Sequence, residues 1–91
     1  MNYRLSKEAE NDLRNIYIFG FQNFGEKQAD NYFEAIFACF DRIARSPEHF
    51  PSAAPYREGY RYCVCGADTI YFRKSEDQFC EIIRIIGRQK S

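Results

Sequence analysis

The stretch Ile82-Ile83-Arg84-Ile85-Ile86, close to the end of the 91-residue chain, decides the fold. Isoleucine is β-branched and favours strands. A strand with one face in water alternates apolar and polar residues, whereas this stretch is apolar on both faces of the pleat except at Arg84. The sequence therefore predicts a strand at the centre of a sheet.

Two further β-rich runs precede this strand. They cover residues 60–65 and 69–73, and the last run itself extends over residues 79–86. The connections at 66–68 and 75–78 contain glycine, aspartate and serine, which are typical of turns. Turns as short as these join antiparallel neighbours, so the three strands are expected to form a meander.

The N-terminal half predicts a short strand at residues 3–5 and then a helix. Ser6 is a suitable N-cap because its hydroxyl can accept a hydrogen bond from a free backbone N–H of the first turn. Apolar or small residues then recur at the spacing of one helix face: Ala9, Leu13, Ile16, Tyr17, Gly20 and Phe24. Gly25 is expected to end this helix, because glycine readily takes the left-handed conformation.

A second helix is predicted directly afterwards. Its apolar stripe comprises Ala29, Phe33, Ile36, Phe37, Phe40 and Ile43. Pro47 ends it, because the proline ring disfavours helix in the residue before it. Two helices joined this tightly form an antiparallel hairpin. The order β-α-α-β-β-β thus predicts an α+β fold, with a helical hairpin packed on a mostly antiparallel four-stranded sheet, in a single domain covering residues 1–91.

The composition narrows the function classes. Hydrophobic residues make up 45% of the chain and aromatic residues 18%, which indicates a folded domain with rings available for both a core and an interface. Thirteen basic residues balance thirteen acidic ones, so the overall charge does not indicate a nucleic-acid binder. The sequence shows neither a signal peptide nor a membrane span, so we expect the cytoplasm, where the four cysteines stay reduced.

Several short segments follow one another along the chain in a characteristic order and spacing. They are Tyr3-Arg4-Leu5-Ser6 with Ala9, Asp12-Leu13 and Ile16; Phe24-Gly25 with Gln28-Ala29 and Tyr32; Ala44 and Pro47; Gly59-Tyr60-Arg61; Ile70-Tyr71-Phe72-Arg73; and the isoleucine-rich strand. Together they resemble the ParE branch of the ParE/RelE toxin superfamily from Tyr3 to Gln89.

This resemblance implies the toxin of a type II toxin–antitoxin system. ParE-like toxins bind and inhibit DNA gyrase, and a co-expressed ParD-like antitoxin, partly disordered before binding, neutralises them. RelE-like toxins share the fold but cleave messenger RNA on the ribosome, so that activity is the alternative function. The resemblance implies no membrane partner and no sequence-specific nucleic-acid binding.

The residues after the last strand favour the inhibitor over the nuclease. RNA cleavage without a metal needs a base, cations that hold the phosphate, and an acid for the leaving oxygen. RelE-like toxins place a tyrosine or histidine near this end, whereas here the chain has Gly87 followed by residues 88–91, Arg-Gln-Lys-Ser. Arginine is a poor proton donor because it stays charged. The only histidine, His49, lies in the proline-rich connection. We therefore predict no catalytic residue and no enzyme activity.

Two binding surfaces are predicted. The target surface comprises Arg61, Arg73, Arg84, Arg88, Gln89 and Lys90. The antitoxin surface comprises Leu13, Tyr17, Phe21, Tyr32 and Tyr60. Each set has an alternative explanation. Arg84 is equally well explained as the partner of a carboxylate such as Asp12, and the C-terminal cations as a tail in solvent. Most aromatic rings of the helices are equally explained as core residues.

A metal site and a cofactor site are not predicted. Cys63, Cys65 and Cys80 supply three thiols, and residues two apart on a strand do share a face. However, C-x-C is not the usual spacing of a zinc site, and cysteine packs well as a small buried hydrophobe.

Overall fold

A computed structural model describes residues 2–87 of the chain. The elements are β1 (Asn2–Leu5), α1 (Lys7–Phe24), α2 (Glu26–Arg45), a 3₁₀ turn (Pro47–His49), β2 (Arg61–Cys65), β3 (Asp68–Lys74) and β4 (Phe79–Gly87). This is the predicted β-α-α-β-β-β order, and the α+β fold is confirmed. Among the described residues, no helix is long and apolar enough to cross a membrane.

The isoleucine-rich strand is central, as predicted. The four strands lie in the order β1-β4-β3-β2, so that β4 has a neighbour on each side. It runs antiparallel to β3 and parallel to β1, and β2 completes the meander. The register shifts between β3 and β4, because Tyr71 pairs with Arg84 while Phe72 pairs with Ile82. Ile83 is therefore the extra residue of a β-bulge.

The start of α1 is attached to the central strand. The Ser6 hydroxyl accepts a hydrogen bond from the Ala9 amide at 3.0 Å, which confirms the predicted cap, and it donates to the Ile83 carbonyl at 2.8 Å. The Ser6 amide donates to the Ile82 carbonyl at 2.9 Å. At the other end, Gly25 separates the two helices with a φ of +93°. One serine thus begins the helix and fixes it to the sheet.

The core lies between the helical hairpin and one face of the sheet. Ile36, Phe40 and Ile43 of α2 are fully buried against Ile70 of β3 and Ile82 of β4. Ile36, Phe40 and Ile43 belong to the apolar stripe that the sequence predicted for α2. Burying side chains of this size stabilises a small domain by about 1.5 to 3 kcal/mol each. In the part of the chain that the structure describes, the opposite face of the sheet carries no helix.

The cysteines are buried free thiols. Cys39 of α2 lies against Cys63 and Cys65 of β2, and the Arg42 guanidinium donates to the Sγ atoms of Cys39 and Cys63. Cys80 is remote from them, because it pairs with Lys74 whereas Cys63 pairs with Ile70. Within residues 2–87, no group of three or more ligating side chains is placed to hold a metal.

Alkaline pH is expected to destabilise the fold through these thiols. Burial, and next the neighbouring Cys39, raise the pKa of both Cys63 and Cys65 above the ordinary 9.0. Above pH 9 the unfolded chain releases these protons while the folded chain keeps them, so the free energy of unfolding falls, by at most about 1.4 kcal/mol per pH unit for each thiol.

Urea unfolding between pH 7 and pH 10 measures this effect. The double variant Cys63→Ala/Cys65→Ala is the control, and its stability should depend less on pH over the same range. Equal stability of the unmodified protein at pH 7 and pH 10 would show that the thiols titrate as they do in the unfolded chain.

Candidate functional site

A large groove of the described residues lies where the helical hairpin projects beyond the sheet. Asp12 of α1 contacts Ile85 of β4. The 12 residues of α1 that follow Asp12 extend about 18 Å, whereas the two residues of β4 that follow Ile85 extend about 7 Å. The groove has a volume of about 890 Å³, and both helices and the turn between β2 and β3 contribute to it. Its lining comprises Asn15, Ile16, Tyr17, Phe19, Gly20, Phe24, Gln28, Ala29, Asn31, Tyr32, Phe33, Ala35, Ala67, Asp68 and Gly87.

The projecting end of α1 exposes large apolar side chains. Phe19 is 58% exposed, Phe21 48% and Phe24 59%. The prediction that Phe24 belongs to the buried stripe is wrong, although its spacing is that of the core face. Among residues 2–87, no strand lies beneath the last turn of α1, so residues on that face meet the groove instead of the sheet. Exposed apolar groups this closely spaced are typical of a surface that a partner covers.

Tyr32 connects α2 to the turn between β2 and β3. Its hydroxyl oxygen lies 2.7 Å from Asp68 Oδ2 and 2.8 Å from the Cys65 carbonyl oxygen, and it accepts a hydrogen bond from the Ala67 amide. The ring packs directly on Gly66, where a Cβ atom would lie 2.6 Å from Tyr32 Cε1. Gly66 also has a φ of +59°, which favours glycine. The turn therefore needs glycine for both conformation and space.

Asp68 gives the groove its charge. It is only 8% exposed, and it is the only charged residue among the described residues that line the groove. Burial, followed by the hydrogen bond to Asp68, raises the pKa of Tyr32 above its ordinary value. The tyrosine therefore keeps its proton at neutral pH and is a donor for the carboxylate. The result is an apolar groove with one negative group at its sheet end.

Removing the Tyr32 hydroxyl is expected to destabilise the protein. Tyr32→Phe keeps the ring but leaves the buried Asp68 carboxylate and the Ala67 amide without this partner, at a cost of about 1 to 2 kcal/mol. Chemical denaturation measures the loss. Tyr17→Phe is the control, because its hydroxyl bonds to the exposed Asp30 at 2.7 Å and its removal should cost less. Equal losses in the two variants would show that Tyr32 does not support the turn.

The predicted antitoxin residues are only partly brought together. Tyr17 and Tyr32 line the groove, and the exposed Phe21 lies beside Tyr17 with their ring centroids 6.2 Å apart. Leu13 must be removed from this surface, because it is 7% exposed and belongs to the core between α1 and the sheet. Tyr60 precedes β2 and therefore lies at the end of that strand opposite the groove.

Sequence reasoning missed several residues of the groove, including Asn15, Phe19, Gln28 and Asp68. The helical residues among them lie off the predicted core stripes, at positions that the stripe pattern assigns to solvent. An aromatic residue outside the stripe, as at Phe19, was the available signal. Asp68 carried no such signal, because aspartate in a short turn is ordinary turn chemistry.

The three arginines predicted to contact the target each have an internal partner. Arg61 donates to the Phe50 carbonyl at 2.6 Å. Arg73 donates to Glu81 through two nitrogens, at 2.9 and 3.1 Å, on the sheet face that carries no helix. Of the predicted target residues, Arg88, Gln89 and Lys90 lie outside the described residues.

Arg84 pairs with Asp12, one of the two explanations considered for it. The Asp12 carboxylate accepts hydrogen bonds from Arg84 Nε at 2.7 Å and Nη2 at 3.1 Å, and from the Ile85 amide at 2.9 Å. Strand β1 pairs with β4 only as far as Ile82. Beyond that point, Asp12 of α1 takes the place of a neighbouring strand by accepting from the exposed edge of β4. The ion pair therefore also holds α1 against the sheet.

The comparisons with known proteins identify this arrangement. Residues 3–91 match the family model described as "ParE toxin of type II toxin-antitoxin system, parDE". The chain belongs to this family. Toxin ParE1 of Caulobacter vibrioides is 33% identical over 84 residues, which cover 92% of this chain and 85% of that protein. Toxin ParE1 of Mycobacterium tuberculosis is 26% identical over 87 residues, which cover 96% of this chain and 89% of that protein.

Solved structures confirm the ParE/RelE fold. A chain of the chromosomal ParDE system from P. aeruginosa aligns with a TM-score of 0.84 and 18% identity, covering 98% of this chain and 97% of that one. A chain of the RelBE2 toxin–antitoxin complex from Mycobacterium tuberculosis aligns with a TM-score of 0.67 and 16% identity, and the alignment covers 96% of this chain and 96% of that one. The family match confirms the resemblance inferred from the sequence: this ParE-family protein is a toxin of a type II toxin–antitoxin system.

Proposed function

We propose that this ParE-family toxin acts by binding and inhibiting DNA gyrase, without cleaving RNA, and that a ParD-like antitoxin neutralises it in the cytoplasm. Family membership supports the proposal at its coarsest level. The observation that carries the choice between inhibitor and nuclease is the pairing of Arg61, Arg73 and Arg84 with acceptors of the same chain.

These pairs oppose a nuclease for an electrostatic reason. A phosphate held by Arg73 or Arg84 would have to compete with Glu81 and Asp12, whose carboxylates already neutralise the two guanidinium groups. Cleavage also needs a group that transfers a proton, and an arginine stays protonated at any working pH. The arrangement therefore favours recognition of a protein surface over chemistry on RNA.

The gyrase-binding surface would be the sheet face that carries no helix. Tyr71 lies opposite Tyr62 on β2 and opposite Arg84 on β4, and Tyr56 stacks on Tyr71 with ring centroids 4.3 Å apart. The side chain of Arg73, nearby on β3, is 47% exposed. Aromatic rings and arginine are the residues enriched at the centres of protein interfaces. The C-terminal Arg88, Gln89 and Lys90, which lie outside the described residues, remain predicted target contacts.

The antitoxin would occupy the groove under the helical hairpin. The groove is large, and exposed rings of α1 border it, as expected for a site that receives the apolar face of an amphipathic helix. Tyr17, Phe21 and Tyr32 would contact that helix. A partly disordered antitoxin that folds on binding can cover a large area of a small toxin.

A plasmid supercoiling assay with purified gyrase tests the proposed activity. Micromolar toxin is expected to reduce supercoiling, and prior mixing with the antitoxin should restore it. Two matched variants test whether the sheet face makes the contact. Arg73→Gln, on the sheet face, should weaken inhibition about tenfold or more. Arg14→Gln, which changes an exposed arginine of α1, should not weaken it. Full gyrase activity at the highest toxin concentration would contradict the proposal.

A further inference from the structure

One negative charge in an uncharged groove restricts what can occupy it. Asp68 is the only charged residue among the described residues that line the groove, and the others are apolar residues, glycines, tyrosines and the side-chain amides of Asn15, Gln28 and Asn31. The amides accept a partner of either charge. The carboxylate does not, so the charge preference of the groove comes from Asp68.

Within residues 2–87, side-chain hydrogen bonding engages only one oxygen of this carboxylate. Oδ2 lies 2.7 Å from the Tyr32 hydroxyl oxygen. Oδ1 lies beside Gly87, where a Cβ atom would be 3.4 Å away. Gly87 itself lines the groove, so no side chain from that position covers Oδ1. A donor that enters the groove at the end of β4 can reach it.

A wholly apolar occupant would be penalised at this point. It would remove the remaining water from Asp68, a residue that is only 8% exposed, and an unpaired buried charge is strongly unfavourable. A lysine or arginine from the occupant would remove the penalty by pairing with Oδ1. Tyr32 and the amides would remain hydrogen-bonded or solvated as before.

We propose that the groove selects an amphipathic helical segment of the antitoxin whose apolar face carries one lysine or arginine, and that this cation pairs with Asp68. The inference rests on the proposed antitoxin partnership and adds the chemistry by which the toxin recognises it. The exposed rings of α1 provide affinity through apolar contact, whereas Asp68 provides selection, because segments without a correctly spaced cation leave the carboxylate unpaired.

The test is the affinity of the antitoxin for a matched set of toxin variants. The probe is the protein encoded by the short reading frame next to the toxin gene, purified alone. Asp68→Asn keeps an acceptor for Tyr32 and removes only the charge, while Glu34→Gln removes an exposed charge of α2 outside the groove. Isothermal titration calorimetry at low and high salt measures Kd, and thermal unfolding shows that each variant is folded.

Asp68→Asn is expected to bind about ten- to a hundredfold more weakly than the unmodified toxin, and with less dependence on salt, whereas Glu34→Gln binds equally. Equal affinity of the unmodified toxin and Asp68→Asn overturns the inference and leaves the antitoxin partnership intact. An unmodified toxin that does not bind the probe overturns the partnership itself, and the inference with it.

Two other occupants of the groove give distinct results. If a second toxin copy occupies it, the unmodified toxin alone sediments as a dimer that Asp68→Asn disrupts. If the toxin's own C-terminal cations pair with Asp68, Arg88→Gln/Lys90→Gln binds the probe more tightly than the unmodified toxin. Either result overturns the inference, while a monomer whose antitoxin affinity is unchanged by the C-terminal double variant supports it.

Discussion

Asp12→Ala is expected to lower the free energy of unfolding by about 3 kcal/mol. The substitution removes the acceptor of three hydrogen bonds, two from Arg84 and one from the Ile85 amide. The side chain of Asp12 is 13% exposed and that of Arg84 is 40% exposed, so water compensates the guanidinium in part. The Ile85 amide loses its partner at the point where β1 no longer covers the edge of β4.

Urea denaturation of two further variants identifies the source of this loss. Asp12→Ala/Arg84→Met removes both charges and should be more stable than Asp12→Ala alone, because no guanidinium is left without its carboxylate. Glu8→Ala removes an exposed acidic residue from the same helix and should cost much less. A loss below about 1 kcal/mol in Asp12→Ala would contradict the role of Asp12 in joining α1 to the sheet.

Gly66→Ala is expected to cost about 3 kcal/mol as well. A residue other than glycine at a φ of +59° costs about 1 to 2 kcal/mol. The added Cβ would also lie 2.6 Å from Tyr32 Cε1 and 2.8 Å from its hydroxyl oxygen, so the ring must move away from the turn. Movement of the ring breaks its contacts with Asp68 and Cys65.

Gly59→Ala is the matched control for this substitution. Gly59 also has a positive φ, +87°, but a Cβ there would meet nothing within 4 Å. The difference in stability between the two variants, measured by urea denaturation, therefore reports the contact with Tyr32 without the backbone strain. Equal losses in both variants would show that Tyr32 accommodates the methyl group and that the turn does not depend on its close packing.

The sequence was sufficient to predict the elements that local patterns determine. The run from Ile82 to Ile86 forms the strand that has a neighbour on each side, and its five side chains are buried or half-buried. Its apolar composition was enough to indicate this central position. The apolar stripes located both helices, and Ser6 and Gly25 located the ends of α1. The bulge at Ile83 was not predictable, because a register shift depends on the pairing between strands.

The groove required the structure, because it depends on the relative lengths of the elements. Helical spacing assigned Phe24 and Leu13 to the same face of α1, yet one is exposed and the other is core. Only the position at which the sheet ends distinguishes them. Asp68 enters the site through a contact with Tyr32, 36 residues away in the chain, and no local pattern indicates such a contact.

The candidate site also shows why arginine counts are a poor guide to function. The sequence supplied Arg61, Arg73 and Arg84 as cations for a target. The structure pairs each with an acceptor from its own chain, including a backbone carbonyl and two carboxylates. Whether an arginine is available to a target depends on the residues around it in space. Asp12 lies 72 residues from Arg84 along the chain, and Glu81 lies 8 residues from Arg73, so the sequence does not show these pairs.

We infer that this ParE-family toxin works by binding its target and transfers no proton to RNA. The most direct test induces the toxin in cells and follows gyrase-linked DNA breaks and messenger RNA ends in the same culture. We predict that DNA breaks accumulate while transcripts remain intact until replication stops. Transcripts cut at defined codons within minutes, with plasmid supercoiling unchanged, would show that the toxin is a nuclease and does not act through gyrase.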